Sequence, residues 1–291
     1  MILITGATGH FGKATIQQLL NKGVAAANIT ALVRDEAKAE PLKEKNINIA
    51  VGDYDDYPSL VKAFTGVDKL LLISGNDLEK RATQQLNAVR AAREAGVKFI
   101  VYTSFERKNE SDASPIAMLA KSHIATEQAI KESGIPYSIL RNGLYADVLP
   151  MFLGAEVLEK GIFFPAGEGK VAFATREEMA EAAANILLTG NGHAGTEYTI
   201  ANNTNYSFTD IAGLLTDLTG KKVAYSNPEA NVYADALLAA GVPAVAVSLF
   251  GGFAEAVKQG EFDSKRSDLE FLLGRKPAPL IEYLRSTYIN N

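Results

Sequence analysis

The sequence predicts an α/β fold, a doubly wound parallel sheet with a smaller C-terminal α/β lobe. Three observations carry that expectation. Apolar runs of strand length alternate with helix-period segments along the first half of the chain. The runs are unbroken instead of alternating in polarity, as strands buried on both faces of a parallel sheet require. Two of the longer helical segments stop at glycines, residues that tolerate the left-handed position closing a helix.

The first strand is expected at 2–5, where Ile2-Leu3-Ile4-Thr5 runs straight into Gly6. Further strands are expected at 29–33, 47–51, 69–73, 99–103 and 137–140, with helices at 12–22, 59–64, 78–95 and 118–133. The last two helices stop at Gly96 and Gly134. Repeated strand–helix–strand units of this kind wind into a parallel sheet through right-handed crossovers. After about residue 145 the regularity loosens. Phe164-Pro165-Ala166-Gly167-Glu168-Gly169 is turn-rich, and 177–188 is an amphipathic helix. Ser207-Phe208-Thr209-Asp210 has the form of a helix N-cap before an apolar run ending at Gly220. A short strand is expected at 223–225. We divide the chain into a main unit at 1–145 and a smaller lobe at 146–291, some of whose segments return to the main sheet.

Composition narrows the function classes. The chain has 291 residues, 47% of them hydrophobic, enough for a sizeable core. A net charge of −5 with scattered Lys and Arg offers no electrostatic footprint for nucleic acid or an anionic membrane surface. There are no cysteines, which excludes disulfides and thiol chemistry. His10, His123 and His193 are the only histidines, so a structural zinc site is not expected. Neither a signal peptide nor an apolar window of about 18 residues is present, and the cytosol is the expected compartment.

Thr5-Gly6-Ala7-Thr8-Gly9-His10-Phe11-Gly12 follows the first strand and opens the first helix. Gly6 allows a sharp turn, Gly9 lets the backbone approach a pyrophosphate, and Gly12 lets the helix pack closely on the strand. Free N–H groups and the positive end of the helix dipole would then face the phosphates. The alternative is a tight turn without a ligand, but the strand–turn–helix context favours a Rossmann-type dinucleotide site. The end of the second strand then chooses the cofactor. A carboxylate roughly 20 residues past the last glycine would bind the ribose hydroxyls of NAD. Here the polar residue is Arg34, suited to the 2′-phosphate of NADPH. Asp35 beside it and a solvated role for Arg34 at a helix start are the competing readings. Asp53 after the third strand either accepts from the adenine amino group or caps a turn. Ser74 and Gly75 close the fourth strand with small residues over which ribose and pyrophosphate can pass.

With these pieces in place, the chain resembles the atypical short-chain dehydrogenase/reductases of the NmrA-like family. Within it the likeness runs to bacterial NADPH:quinone oxidoreductases and triphenylmethane dye reductases. It rests on residues 5–12, 31–34, 71–75, 102–104, 123–127, 140–145 and 174–176, and extends to 195–200 and 208–225. The resemblance implies cofactor contacts at Thr8, Gly9, His10, Phe11, Arg34, Ser74, Gly75, Leu140, Arg141, Asn142, Gly143, Leu144, Tyr145 and Arg176. It implies a nicotinamide near Asn142 and Tyr145, under a pocket roofed by the C-terminal lobe. It also implies hydride transfer to quinone-like or other delocalised, electron-poor small molecules.

One departure matters. Ordinary short-chain reductases place Tyr and Lys four residues apart on the helix before the sixth strand, and those positions fall here on Leu119 and His123. Leu119 donates no proton, so the usual ketone reduction is not expected. A quinone needs less help: hydride addition leaves a resonance-stabilised phenolate that water can protonate. The task that remains is to hold the reactants together and exclude water. His123 is the candidate proton donor or orienting group, with an expected pKa near neutrality and Glu127 one turn on to fix its ring. The competing reading is a helix-surface His–Glu pair. Ser104 is read as a donor to an acceptor oxygen or as a plain turn hydroxyl, and Tyr145 as a wall of the pocket. A second function remains open at this stage: a dinucleotide-sensing regulator that binds NAD(P) without turnover. The apolar stretch 239–253 would be its docking surface, or else core or a lid.

Overall fold

The computed structural model describes residues 1–290. Its strands are β1 (Ile2–Ile4), β2 (Ile29–Val33), β3 (Asn48–Val51), β4 (Lys69–Leu72), β5 (Phe99–Phe105), β6 (Tyr137–Asn142), β7 (Ile162–Phe163), β8 (Lys170–Val171), β9 (Thr196–Ile200), β10 (Tyr206–Ser207) and β11 (Tyr225–Ser226). The helices are α1 (His10–Asn21), α2 (Glu40–Lys43), α3 (Tyr57–Phe64), α4 (Arg81–Glu94), α5 (Ala117–Glu132), α6 (Leu149–Leu153), α7 (Val157–Lys160), α8 (Arg176–Thr189), α9 (Phe208–Thr219), α10 (Ala230–Ala239), α11 (Ala244–Lys258), α12 (Leu269–Leu273) and α13 (Leu280–Tyr288). The expected strands and longer helices of the first half form, with ends shifted by at most three residues.

Seven strands make one parallel sheet in the order β3-β2-β1-β4-β5-β6-β9. The direction in which successive strands are added to the sheet reverses between β1 and β4. At such a switch point the flanking loops diverge and leave a crevice at the carboxyl edge, where ligands of doubly wound folds bind. Side-chain alternation sends Ile2, Ile4, Phe99, Val101 and Leu140 to one face, under α1 and α8. Leu3, Leu70, Leu72, Ile100, Tyr102 and Ile139 go to the other, under α3, α4 and α5. Burial of both faces is the reason the strand segments read as continuous apolar runs.

The seventh strand, β9, comes from beyond residue 145 and closes the sheet on β6. Other late segments build a separate aromatic core in which Phe164 contacts Phe152, Phe208 and Tyr233. The Ser207 cap forms as a reciprocal capping box with Asp210, and α9 ends at Gly220 in the left-handed conformation. The apolar stretch 239–253 lies mostly in α11, which turns Val247, Ala254 and Val257 inward and leaves Val245 exposed. Among the described residues no helix is long and apolar enough to cross a membrane.

Candidate active site

The glycine turn lies at the switch point. Gly6 has φ +57°, a conformation that costs a side chain strain and glycine nothing. Its carbonyl accepts from Gly9 N–H at 2.9 Å, folding the turn under the helix start. A Cβ at Gly12 would lie 2.7 Å from Ala7 Cα and closer still to Gly6 O, so the helix can approach the turn only without one. No side chain caps α1, and its first turn carries no acid. The orphan N–H groups of that turn are therefore open to an anion. Thr5 joins the two sides of the crevice: its hydroxyl donates to Leu71 O and accepts from Ile73 N–H at 2.8 Å.

Arg34 follows β2 directly, exposed and without an ion-pair partner among the described residues. The competing carboxylate is occupied elsewhere: Asp35 accepts from Ala37 N–H at 3.0 Å and caps the short helical turn after it. Asp53 realises its capping alternative, accepting from Asp55 N–H at 2.9 Å. Ser74 N–H is tied to Thr103 Oγ1 at 2.9 Å.

At the end of β6 the chain passes beside α1. The rings of Tyr145 and Phe11 are 6.5 Å apart, the Arg176 guanidinium lies 4.7 Å over the Tyr145 ring, and Asn142 Nδ2 donates to Tyr145 OH at 3.3 Å. Burial raises the Tyr145 pKa, so the phenol is neutral. Asn142 Oδ1 is fully enclosed and has no partner, an arrangement that costs free energy unless a ligand donates to it. The turn, Asn142, Tyr145 and Arg176 thus converge on one place, as the resemblance implies.

Other expected residues do not join them. Leu140 is fully enclosed in the sheet core and has no surface for a cofactor. Leu144 packs in the aromatic core of the lobe, and Gly143 N–H is taken by Ile200 O at 2.9 Å. The Arg141 guanidinium projects from the opposite sheet face to Asn142, where it holds Glu127 at 2.8 Å and Glu197 at 2.7 Å. His10 is exposed at the helix start.

On that second face sits a paired polar cluster. Glu127 of α5 accepts from Arg107 at 2.8 and 2.9 Å, from Arg141, and from Ser104 Oγ. Burial raises this carboxyl, but the bonds from Arg107, Arg141 and Ser104 outweigh it and hold it near 2. The Ser104 hydrogen is thereby committed to Glu127, which removes it as a donor to an acceptor oxygen. His123 departs from expectation in two respects. Burial first, then the nearby Arg81 and Arg107 charges, push it down to about 3, so it is neutral and is no general acid near pH 7. It is also buried, and its Nδ1 lies 2.8 Å from Tyr102 OH instead of on Glu127. Donors from Ser104, Arg107 and Arg141 already occupy both Glu127 oxygens, so the carboxylate has no capacity left for the imidazole.

Sequence reasoning missed Gln85, Arg107 and Glu106. The buried positions Arg81, Gln85, Ala88 and Ala92 recur at helical spacing on α4, so the polar pair stands in step with the core face, a signal legible in the sequence. Glu106 is enclosed beside Gly143, and burial, partly offset by the Ser264 hydroxyl, pushes its carboxyl up to about 7.

Fold and site together define a dinucleotide-binding chain of short-chain reductase architecture that lacks the proton-donating tyrosine. The chain belongs to the NmrA-like family, whose model matches residues 1–284. It is 40% identical to quinone oxidoreductase 2 of Escherichia coli strain K12, over the full length of both chains. It is 30% identical to an NAD(P)H azoreductase of Xenophilus azovorans, over 77% of this chain and 76% of that one. Among solved structures, Citrobacter sp. triphenylmethane reductase complexed with NADP(H) superposes with a TM-score of 0.91 at 39% identity, covering 98% of this chain and 99% of that one. The NADPH complex of the Escherichia coli NADPH-dependent quinone oxidoreductase superposes with a TM-score of 0.91 at 36% identity, covering 99% and 100%.

Proposed function

We propose that the chain is an NADPH-dependent reductase that passes hydride to quinone-like or other delocalised, electron-poor small molecules. The observation that carries this reading is the full-length identity to a quinone oxidoreductase, joined to a site whose unpaired groups match the cofactor. Gly6, Thr8, Gly9 and Gly12 form the cradle, with His10 and Phe11 at its helix end. Arg34 binds the 2′-phosphate. Ser74 and Gly75 leave the sheet edge low, Asn142 Oδ1 accepts from the carboxamide, and Tyr145 and Arg176 wall the pocket. NADPH supplies the hydride when bound. The protein holds the acceptor against it, keeps water out, and leaves protonation of the product oxygen to solvent. Residues 1–145 serve the cofactor in this reading and residues 146–291 the acceptor. The regulator reading gains no support, because both NADP(H)-complexed neighbours are reductases by name.

Purified protein mixed with NADPH and a benzoquinone tests the proposal. Loss of the NADPH absorbance that depends on both protein and quinone is the expected result. No oxidation with a quinone or with a cationic triarylmethane dye would overturn it.

A further inference from the structure

A polar chain unused by the cofactor cradle ends at His123. It starts at Gly75 N–H, which donates to Gln85 Oε1 at 3.2 Å. A backbone N–H can bond only the oxygen of that amide, so the contact fixes its orientation. Gln85 Nε2 then donates to Thr126 Oγ1 at 2.7 Å and to Tyr102 OH at 3.1 Å. Thr126 agrees with this direction, since its one hydroxyl hydrogen goes to Ser122 O at 2.7 Å and its oxygen must accept. Tyr102 already accepts from Gln85 and lies 2.8 Å from His123 Nδ1. Burial keeps the phenol protonated, so its hydrogen goes to Nδ1. A neutral imidazole that accepts at Nδ1 carries its proton on Nε2.

Nε2 has no protein partner among the described residues. It is also absent from the fully enclosed unpartnered atoms, which are Arg107 Nε, Asn142 Oδ1, Glu178 Oε2 and Tyr288 OH. It therefore retains some accessible surface. The hydroxyl donors at the end of β5 are committed: Thr103 Oγ1 to Ser74 and Ser104 to Glu127. One turn before His123, Leu119 lines a small apolar groove with Ile116, Met118 and Leu249 between α5 and α11.

Resting on the reductase reading, we infer that Gln85 and Tyr102 lock His123 as the Nε2–H tautomer, and that this N–H donates a hydrogen bond to the carbonyl oxygen of the acceptor as it is reduced. Hydride from NADPH brings two electrons and one hydrogen to the quinone. Its carbonyl oxygen becomes a phenolate oxygen, NADP⁺ leaves, and one proton from solvent completes the hydroquinone. His123 stays neutral throughout and gives a hydrogen bond, not its proton. Gln85 and Tyr102 are positioning residues.

Ring-nitrogen NMR on ¹⁵N-histidine-labelled protein reads the tautomer without any turnover. The expected His123 signals are one bare Nδ1 and one protonated Nε2, unchanged between about pH 5 and pH 8. A proton on Nδ1, or a doubly protonated ring near neutrality, overturns the inference. Rates then separate the donor role from packing by comparing a benzoquinone with a cationic triarylmethane dye, whose accepting carbon bears no oxygen. His123→Ala should cut quinone kcat about 100-fold and Tyr102→Phe about 10-fold, both lowering the quinone-to-dye ratio. His123→Gln, whose amide N–H reaches about as far as Nε2, should recover part of the rate and carries the test if the alanine variant does not fold. Equal losses on both acceptors, or no recovery in His123→Gln, overturn the donor role. If wild-type protein oxidises no NADPH, the reductase reading and the donor role fall together, while the NMR result still decides the tautomer.

Discussion

The two faces of the sheet's carboxyl edge handle polar groups in opposite ways. On the α1 side the groups are left bare: uncapped amides at the helix start, an exposed Arg34 and an enclosed Asn142 Oδ1 without a partner. On the α5 side nearly every group is spent on another, with Glu127 taking Ser104, Arg107 and Arg141 at once. An unpaired polar group in a cleft costs stability and is retained where a ligand completes it. A saturated cluster instead holds strands and helix in register. Residue type does not distinguish the two; pairing does. By that criterion the cofactor belongs to the α1 side, and the α5 side contributes scaffold in which Arg107 Nε and His123 Nε2 are the groups left unpaired.

The largest test of this contrast is Glu127→Gln. Arg107, with a side chain 1% exposed, would keep only the exposed Glu110 as charge partner, and Arg141 would keep only Glu197. Breaking a buried pair from one side costs about 3–5 kcal/mol, so urea denaturation should show a loss of that size. A loss under about 1 kcal/mol would mean that the cluster is not scaffold.

Glu106 sharpens the contrast, because its buried carboxyl accepts a side-chain hydrogen bond from the Ser264 hydroxyl and has no ion-pair partner within reach among the described residues. Its folded pKa of about 7 lies above the ordinary 4.5. The folded state therefore binds this proton more tightly than the unfolded state does. The resulting stability is complete below pH 4.5 and is lost as pH rises to about 7. Glu106→Gln should remove that slope, a relative gain of about 3 kcal/mol at pH 8 against wild type, both measured against pH 4. Parallel stability curves for the two proteins would place the carboxyl in water.

Arg34→Glu probes the bare side, where a change should move binding and leave folding alone. Losing a charge-assisted contact to the 2′-phosphate should shift the NADPH-over-NADH preference in kcat/KM by about 10- to 100-fold, with little change in Tm. An unchanged preference would detach Arg34 from the cofactor.

What the sequence disclosed follows the same division. The parallel sheet and the glycine turn were legible because unbroken apolar runs and Gly6, Gly9 and Gly12 answer to local geometry: burial of both strand faces, and helix–turn approach. Arg34 was legible by counting along the chain. Whether Asp35 would compete was not, since its cap on Ala37 depends on the turn after β2. The α5 side defeated sequence reasoning for a physical reason. Ser104, His123 and Arg141 sit at positions where catalysis is plausible, and their tasks are decided by Glu127 and Tyr102, partners 14 to 23 residues away in the chain and visible only after folding. Two-residue-period strand logic did contain one unused clue. Arg141 and Asn142 are neighbours on one strand and must face opposite sides, so the two could not both meet the same nicotinamide.

The smallest expected effect falls on Ser104, where the two readings of the α5 side part most directly. As a donor to the acceptor, Ser104→Ala would lower quinone kcat by about 100-fold, the usual cost of removing an oxyanion donor. As scaffold it loses one of several bonds to Glu127, while Arg107 and Arg141 still neutralise the carboxylate. Stability should then fall by about 1 kcal/mol and kcat should stay within about threefold of wild type. Paired melting curves and steady-state rates on one preparation read both quantities. A large drop in kcat with an unchanged Tm would move Ser104 back into the reaction and erase the line drawn between the two faces.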